Sequence, residues 1–302
     1  MTGRLGHLAI VGTTASGKSA VALELARRHD DIELVSVDSM QVYRGMDIGT
    51  AKPTPAEQAE VRHHLLDLAE PDEDFTVSRF QAAFRVALAD IEARGHRAVL
   101  VGGTGLYLRA AVDDLTIPGQ YADVWVELDR ERDTAALHAR LHDLDPLAAS
   151  RMEPTNRRRV VRALEVCIGS GRPFSSFGPG LDAYPPTPYR LVGIDLEHDV
   201  VAARIEARYQ QQLADGFVAE VERLATRPLS RTAAQALGYK ELLAHVRGER
   251  TLDDALDEAI RRTRRFARRQ RSWFRRDPRI EWVALAEAMP SLEAAVTRHT
   301  GR

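Results

Sequence analysis

The stretch Gly12-Thr13-Thr14-Ala15-Ser16-Gly17-Lys18-Ser19 constrains this chain more than any other, because it satisfies G-x-x-x-x-G-K-[ST] without adjustment. A short apolar run, Leu8 to Val11, precedes it, and Ala20 to Arg28 reads as a helix after it. Glycines in such a loop let the backbone curl until its N–H groups converge on phosphate oxygens. The helix that follows adds its positive N-terminal end. Lys18 supplies a mobile cation, and the Ser19 hydroxyl is a candidate ligand for Mg²⁺. The loop therefore expects a diphosphate or longer polyphosphate, without saying which compound carries it.

The flanking pattern expects an α/β fold. Ile32 to Val37 reads as a second strand ending at Asp38, Phe80 to Arg94 as a helix, and Ala98 to Val101 as a third strand ending at Gly102-Gly103. This alternation predicts a P-loop NTPase-like parallel sheet flanked by helices. From about Asp113 the pattern changes. Asp129 to Leu144 and Pro146 to Cys167 read as helices, and a loop rich in Gly, Pro and Ser runs from Gly169 to Pro188. Arg190 to Leu196 resumes as a strand, and Val200 to Pro278 reads as helical. The expected division is a core of residues 1–112 and 190–302 with a mainly helical insertion, 113–189.

Several classes are disfavoured. No run of about 18 apolar residues exists, so no membrane span is expected, and the first residues carry no apolar signal region. With Cys167 as the single cysteine, neither an intramolecular disulfide nor a cysteine zinc cluster can form, and a cytoplasmic monomer is the expectation. Cys167 itself reads as a buried small hydrophobe. His63 and His64 are adjacent and point differently, which favours hydrogen bonding over shared metal ligation. The net charge of -2 argues against bulk nucleic-acid affinity. The arginines are nevertheless clustered, at 157, 158, 159 and 162 and again between Arg261 and Arg276. Such stripes suit an RNA backbone, or else form a solvated helix face balanced by acids such as Asp253, Asp254, Asp257 and Glu258.

Asp38 to Pro53 is a polar segment at the C-terminal end of a strand, where ligands bind in open α/β sheets. Asp38 could hold Mg²⁺ through water, accept a proton from a nucleophile, or cap a turn. This segment resembles the signature of the tRNA dimethylallyltransferase family. The resemblance extends to Gly12–Ser19, His63–Asp67, Gly102–Tyr107, Arg158–Val166, Gly238–Glu241 and Thr263–Arg275, in order along the chain.

The resemblance implies transfer of a dimethylallyl group from dimethylallyl diphosphate to N6 of the adenine beside the anticodon, in tRNAs reading codons that begin with U. It implies Asp38 as the base, with Thr14 and Lys18 also catalytic and Ser16 near the diphosphate. Ser19 would lie on Mg²⁺. Asp38, Ser39, Met40, Gln41, Thr104, Arg158, Arg159 and Arg162 would meet the tRNA. The flipped base this requires is general for chemistry on a base in a structured loop. Three positions depart from the family pattern. Thr13 stands where a proline is usual. Trp125 stands where an arginine meets tRNA. Ala233-Ala234-Gln235-Ala236 lacks an arginine expected before Gly238. The competing reading is a P-loop small-molecule or nucleoside kinase, which leaves the arginine-rich stretch and the Gly102–Tyr107 turn without a task.

Overall fold

The computed structural model describes residues 6–300. Six parallel strands form one sheet in the order β3-β2-β4-β1-β5-β6. They are β1 (Leu8–Gly12), β2 (Ile32–Ser36), β3 (His63–His64), β4 (Arg97–Gly102), β5 (Arg190–Asp195) and β6 (Ile280–Ala284). Every residue of β1 and β2 is buried, as expected of strands covered on both faces.

Alternation sorts their side chains into two cores. Ala9, Val11 and Val35 face one cluster; Leu8, Ile10, Ile32 and Leu34 face the other. The second face is covered by α1 (Lys18–Arg28) and by α13 (Leu285–Thr300), through Ala22, Leu25, Ala288 and Leu292. The first carries α3 (Val77–Ala93) and α4 (Gly105–Val112). Also on it are α9 (His198–Ala214), α10 (Phe217–Ala225), α11 (Tyr239–Val246) and α12 (Leu252–Phe274). A short α2 (Pro55–Glu60) opens on a capping box, with Thr54 and Glu57 each satisfying the other's backbone N–H.

Strand order matters for the site. The chain leaves β1 toward β2, skipping the place that β4 fills, whereas β5 pairs on the other side of β1. The carboxyl ends of β1 and β4 therefore flank a switch point, where a crevice opens in such sheets.

By packing, the chain divides into two compact units, one formed by residues up to Asp113 with those from Pro186 onward, the other Asp114–Pro185. The second unit holds α5 (Ala122–Arg130), α6 (Thr134–Leu144), α7 (Pro146–Ser150) and α8 (Arg157–Ser170) around its own core of Leu128, Leu141, Val160 and Leu164. The two expected long helices are here three shorter ones, α6, α7 and α8, and α5 precedes them. Asp133 accepts from the Ala135 and Ala136 N–H groups and starts a new helix, and Asn156 accepts from the Arg159 N–H and starts another. Cys167 is buried in this core, and burial pushes its thiol up. Beyond the helical stretch expected up to Pro278, the core unit adds β6 and α13.

The adjacent histidines diverge into separate hydrogen bonds. His63 Nδ1 meets the Val61 carbonyl at 2.7 Å, and His64 Nε2 meets the buried Glu33 carboxylate at 2.6 Å. Glu33 also accepts a forked pair from Arg94, which with His64 holds its carboxyl down near 2 against the opposing effect of burial.

Candidate active site

The loop from Gly12 to Ser19 runs from the carboxyl end of β1 into the first turn of α1. Glycine is needed at both of its ends. Gly12 has φ 155° and Gly17 φ 92°, and a Cβ on Gly12 would stand 2.9 Å from Ser16 Oγ. The helix begins at Lys18 rather than at Ala20, because left-handed Gly17 turns the chain directly into it. Ser16 is fully buried, and its Oγ has no hydrogen-bond partner among the described residues. Since buried hydroxyls are normally satisfied, an orphan inside this loop fits a ligand oxygen. Thr13 gives only its backbone here: its carbonyl accepts from the Lys18 ammonium at 3.1 Å and from the Ser16 N–H at 3.2 Å. A side chain other than proline is therefore accommodated.

Two arginines converge on the loop from α9. Arg208 Nη1 donates to Thr14 Oγ1 at 2.9 Å, and Arg204 Nη1 approaches the Ala15 and Ser16 carbonyls at 3.5 and 3.4 Å. They stand one turn apart on one helix face. Burial is the larger effect on both nearby cations. It lowers the Lys18 ammonium to about 8 and lowers Arg208, while the Asp38 carboxylate pulls each of them back up. Three cations crowded in a poorly solvated pocket, with a carboxylate beside them, form a site that favours a multivalent anion.

Sequence reasoning missed Arg204 and Arg208, and sought an arginine before Gly238 instead. Ala233–Gln235 forms a 3₁₀ turn there, with Ala233 buried in the core. The available signal was Arg204-Ile205-Glu206-Ala207-Arg208 itself, two arginines at a spacing of four on a helix after a strand.

Opposite the loop lie the ends of β2 and β4. The Val37 carbonyl accepts from the Thr104 N–H at 3.3 Å, and Thr104 Oγ1 accepts from the Ser39 N–H at 3.2 Å. Asp38 is only partly buried. Its Oδ1 accepts the Met40 N–H at 2.8 Å, so it does cap a turn, with one oxygen. Met40 packs against the core. The Gln41 amide is committed within its own segment: Oε1 accepts from Ser36 Oγ, and Nε2 donates to the Thr50 and Ala51 carbonyls. It braces the segment.

The segment is also held from behind. Buried Glu220 on α10 accepts the N–H groups of Asp47, Ile48 and Gly49 at 3.1, 2.9 and 3.2 Å, and the Tyr239 hydroxyl at 2.6 Å. Buried Lys52 bridges Asp47 and Asp67 at 2.6 Å each. These contacts fix the backbone from Asp47 to Lys52 before any ligand arrives.

The arginines divide by partner. In the second unit Arg158 and Arg159 are exposed. Arg162 instead donates to the Pro118 and Gly119 carbonyls and pairs with Glu165, and Arg157 pairs with Asp129. Trp125 packs against that unit's core. On α12, Arg262 pairs with Glu241, Arg264 with Glu206, and Arg271 and Arg275 with Asp195. Arg265 and Arg268 are exposed. The inward face of α12 presents Ala259, Thr263, Ala267, Gln270 and Phe274 to the core.

For a metal, the loop offers the exposed Ser19 hydroxyl in the first turn of α1, with no cluster of three acidic, His or Cys side chains among the described residues. That donor set fits an ion held largely by ligand phosphate and water, as Mg²⁺ usually is.

A parallel sheet with this loop at its switch point, and a carboxylate at the end of β2, one strand beyond β4, defines a P-loop α/β protein with a diphosphate-type site. Comparison with known proteins narrows the class. The IPP transferase family matches residues 41–277. The tRNA dimethylallyltransferase of Kineococcus radiotolerans is 48% identical over 95% of this chain and 93% of its own. That of Bifidobacterium adolescentis is 44% identical over 97% and 88%. Among solved structures, the tRNA isopentenylpyrophosphate transferase of Bacillus halodurans superposes with a TM-score of 0.70 at 35% identity, covering 98% of both chains. A eukaryotic dimethylallyltransferase acting on tRNA shares the fold at a TM-score of 0.79 and 23% identity, covering 96% of this chain and 77% of its own. The chain belongs to the tRNA dimethylallyltransferase family, and the kinase reading is not favoured.

Proposed function

We propose that this enzyme transfers the dimethylallyl group of dimethylallyl diphosphate to N6 of the adenine beside the anticodon of tRNA, with Asp38 as the base. The observation that carries the assignment is the placement of Asp38. Its carboxylate acts electrostatically on Lys18 and Arg208, the cations of the phosphate loop, while it stands at the head of the signature segment.

In this reading the orphan Ser16 hydroxyl, Lys18, Thr14, Arg204, Arg208 and the N-terminal end of α1 bind the diphosphate. As the allylic C–O bond breaks, negative charge grows on the leaving diphosphate, and these groups stabilise it. Ser19, together with the diphosphate, would hold Mg²⁺, which would supply further neutralisation of that charge. On the other side the adenine amine approaches the allylic carbon. Asp38 has one oxygen engaged with the Met40 N–H, and its other oxygen takes the amine proton. Ser39, Met40 and Thr104 line the acceptor side, and Gln41 keeps their segment in shape. Exposed Arg158 and Arg159 meet tRNA phosphates, and Arg162 supports them by bracing the 118–119 turn.

Asparagine at position 38 tests the assignment cleanly, since its amide oxygen can still accept the Met40 N–H. Asp38→Asn is expected to leave folding and donor binding intact and to cut turnover by about two to four powers of ten. Near-normal turnover would leave Asp38 as a turn cap only.

A further inference from the structure

Gln270 is a buried amide on α12, far in sequence from both substrate-facing loops, yet it joins them. Its Oε1 accepts the Thr14 N–H of the phosphate loop at 2.8 Å. Its Nε2 donates to the Gly103 carbonyl, just past β4, at 2.8 Å. The two partners fix the orientation of the amide, since an N–H can only face its oxygen and a carbonyl only its nitrogen. The Gly103 side leads on to Thr104, whose hydroxyl holds Ser39 next to Asp38. On the other side, Thr14 is held from α9 by Arg208. One side chain thus spans from the donor cradle to the strand end that carries the acceptor groups.

We infer that Gln270 is a positioning residue that sets the separation between the diphosphate loop and the acceptor turn, and so the alignment of the amine with the allylic carbon. This rests on the transferase reading above. The physical argument is one of geometry. Direct displacement tolerates little error, and a misplacement of about 1 Å costs on the order of a hundredfold in rate. A phosphate loop can bind its diphosphate without any tie to the neighbouring strand, so such a tie is not needed for donor affinity. A buried glutamine satisfied at both ends is demanding to maintain, because losing either partner strands a buried polar group. Its two bonds end on groups that must keep register with each other during transfer.

Two substitutions reach the tie from opposite ends. Gln270→Met removes both bonds at similar length. Gly103→Ala leaves Gln270 in place but puts a Cβ at 2.2 Å from its Nε2, so the flexible amide end must withdraw. Gly103 is not at positive φ, so alanine adds no backbone strain there. The measurement is single-turnover and steady-state transfer to tRNA, with donor affinity taken separately by calorimetry.

Both variants are expected to lose roughly 10- to 100-fold in kcat, with donor Kd and tRNA KM within about threefold of wild type. The double variant is expected to be no slower than the slower single one, because both break the same tie. Wild-type kcat in a folded variant would overturn the inference. So would a fall carried wholly by donor Kd, or full additivity in the double variant. A wild-type protein that transfers nothing to tRNA would instead overturn the transferase reading. Should one variant fail to fold, the kcat of the other decides.

Discussion

Lys18 sits where its charge is both useful and costly. Burial lowers its ammonium from 10.5 to about 8, against the pull of Asp38. In the unfolded chain the proton is held more tightly. The buried ammonium therefore costs stability below pH 8, and the cost is relieved as pH rises from 8 toward 10.5. Donor binding has the opposite preference, since an anionic diphosphate selects the charged form. Affinity for dimethylallyl diphosphate should fall as pH climbs through 8, with proton uptake on binding near that pH. Lys18→Met should bind more weakly and show no such step. Calorimetry in two buffers of different ionisation heat reads both quantities. A wild-type affinity that is flat between about pH 7 and about 9 would show that Lys18 does not titrate in this range.

At the scale of elements, the candidate site is assembled from two parts of the sequence. Its first half was legible: an apolar run, a glycine loop and a helix are consecutive, so local pattern suffices to place the phosphate loop on a parallel strand. Its second half was not. Arg208 meets Thr14 across 194 positions, and Gln270 meets it across 256, so no local periodicity reveals either contact. The helix breaks at Asp133 and Asn156 were hidden for a different reason, because a polar residue reads as well on an exposed helix face as at a cap.

Helices α10 and α8 yield three predictions. Glu220→Ala would remove the partner of three backbone N–H groups and of the buried Tyr239 hydroxyl, at roughly 1–3 kcal/mol for the buried hydroxyl and less for each partly buried N–H. Its melting temperature should drop clearly in a thermal scan; an unchanged one would mean that the Asp47–Gly49 backbone finds other acceptors. For tRNA, Arg158→Ala with Arg159→Ala should flatten the slope of log affinity against log salt by roughly 0.7 to 0.9 per lost phosphate contact. Arg162→Ala should instead lower stability, because that guanidinium serves the Pro118 and Gly119 carbonyls. An unchanged slope in the double variant would make Arg158 and Arg159 solvated surface only.

The whole molecule comprises two units with separate cores, and the smaller, Asp114–Pro185, packs only a short set of apolar residues. Smaller cores open more readily. Amides of residues 130–165 should therefore exchange faster than those of residues 8–37 in the free protein, and should gain protection when tRNA is added. Equal exchange in both regions, unmoved by tRNA, would remove the second unit from the account of tRNA binding. No helix among the described residues is long and apolar enough to cross a membrane. The central claim is that the phosphate loop holds an alkyl donor rather than a phosphoryl donor. It is tested most directly by incubating the protein with tRNA, Mg²⁺ and dimethylallyl diphosphate labelled in its carbon chain, with ATP omitted, and locating the label by mass analysis of the digested tRNA. The account predicts one dimethylallyl group on the adenine beside the anticodon in the wild type, and almost none with Asp38→Asn. Unmodified tRNA in this mixture, together with ATP-dependent phosphorylation of a small acceptor, would contradict it.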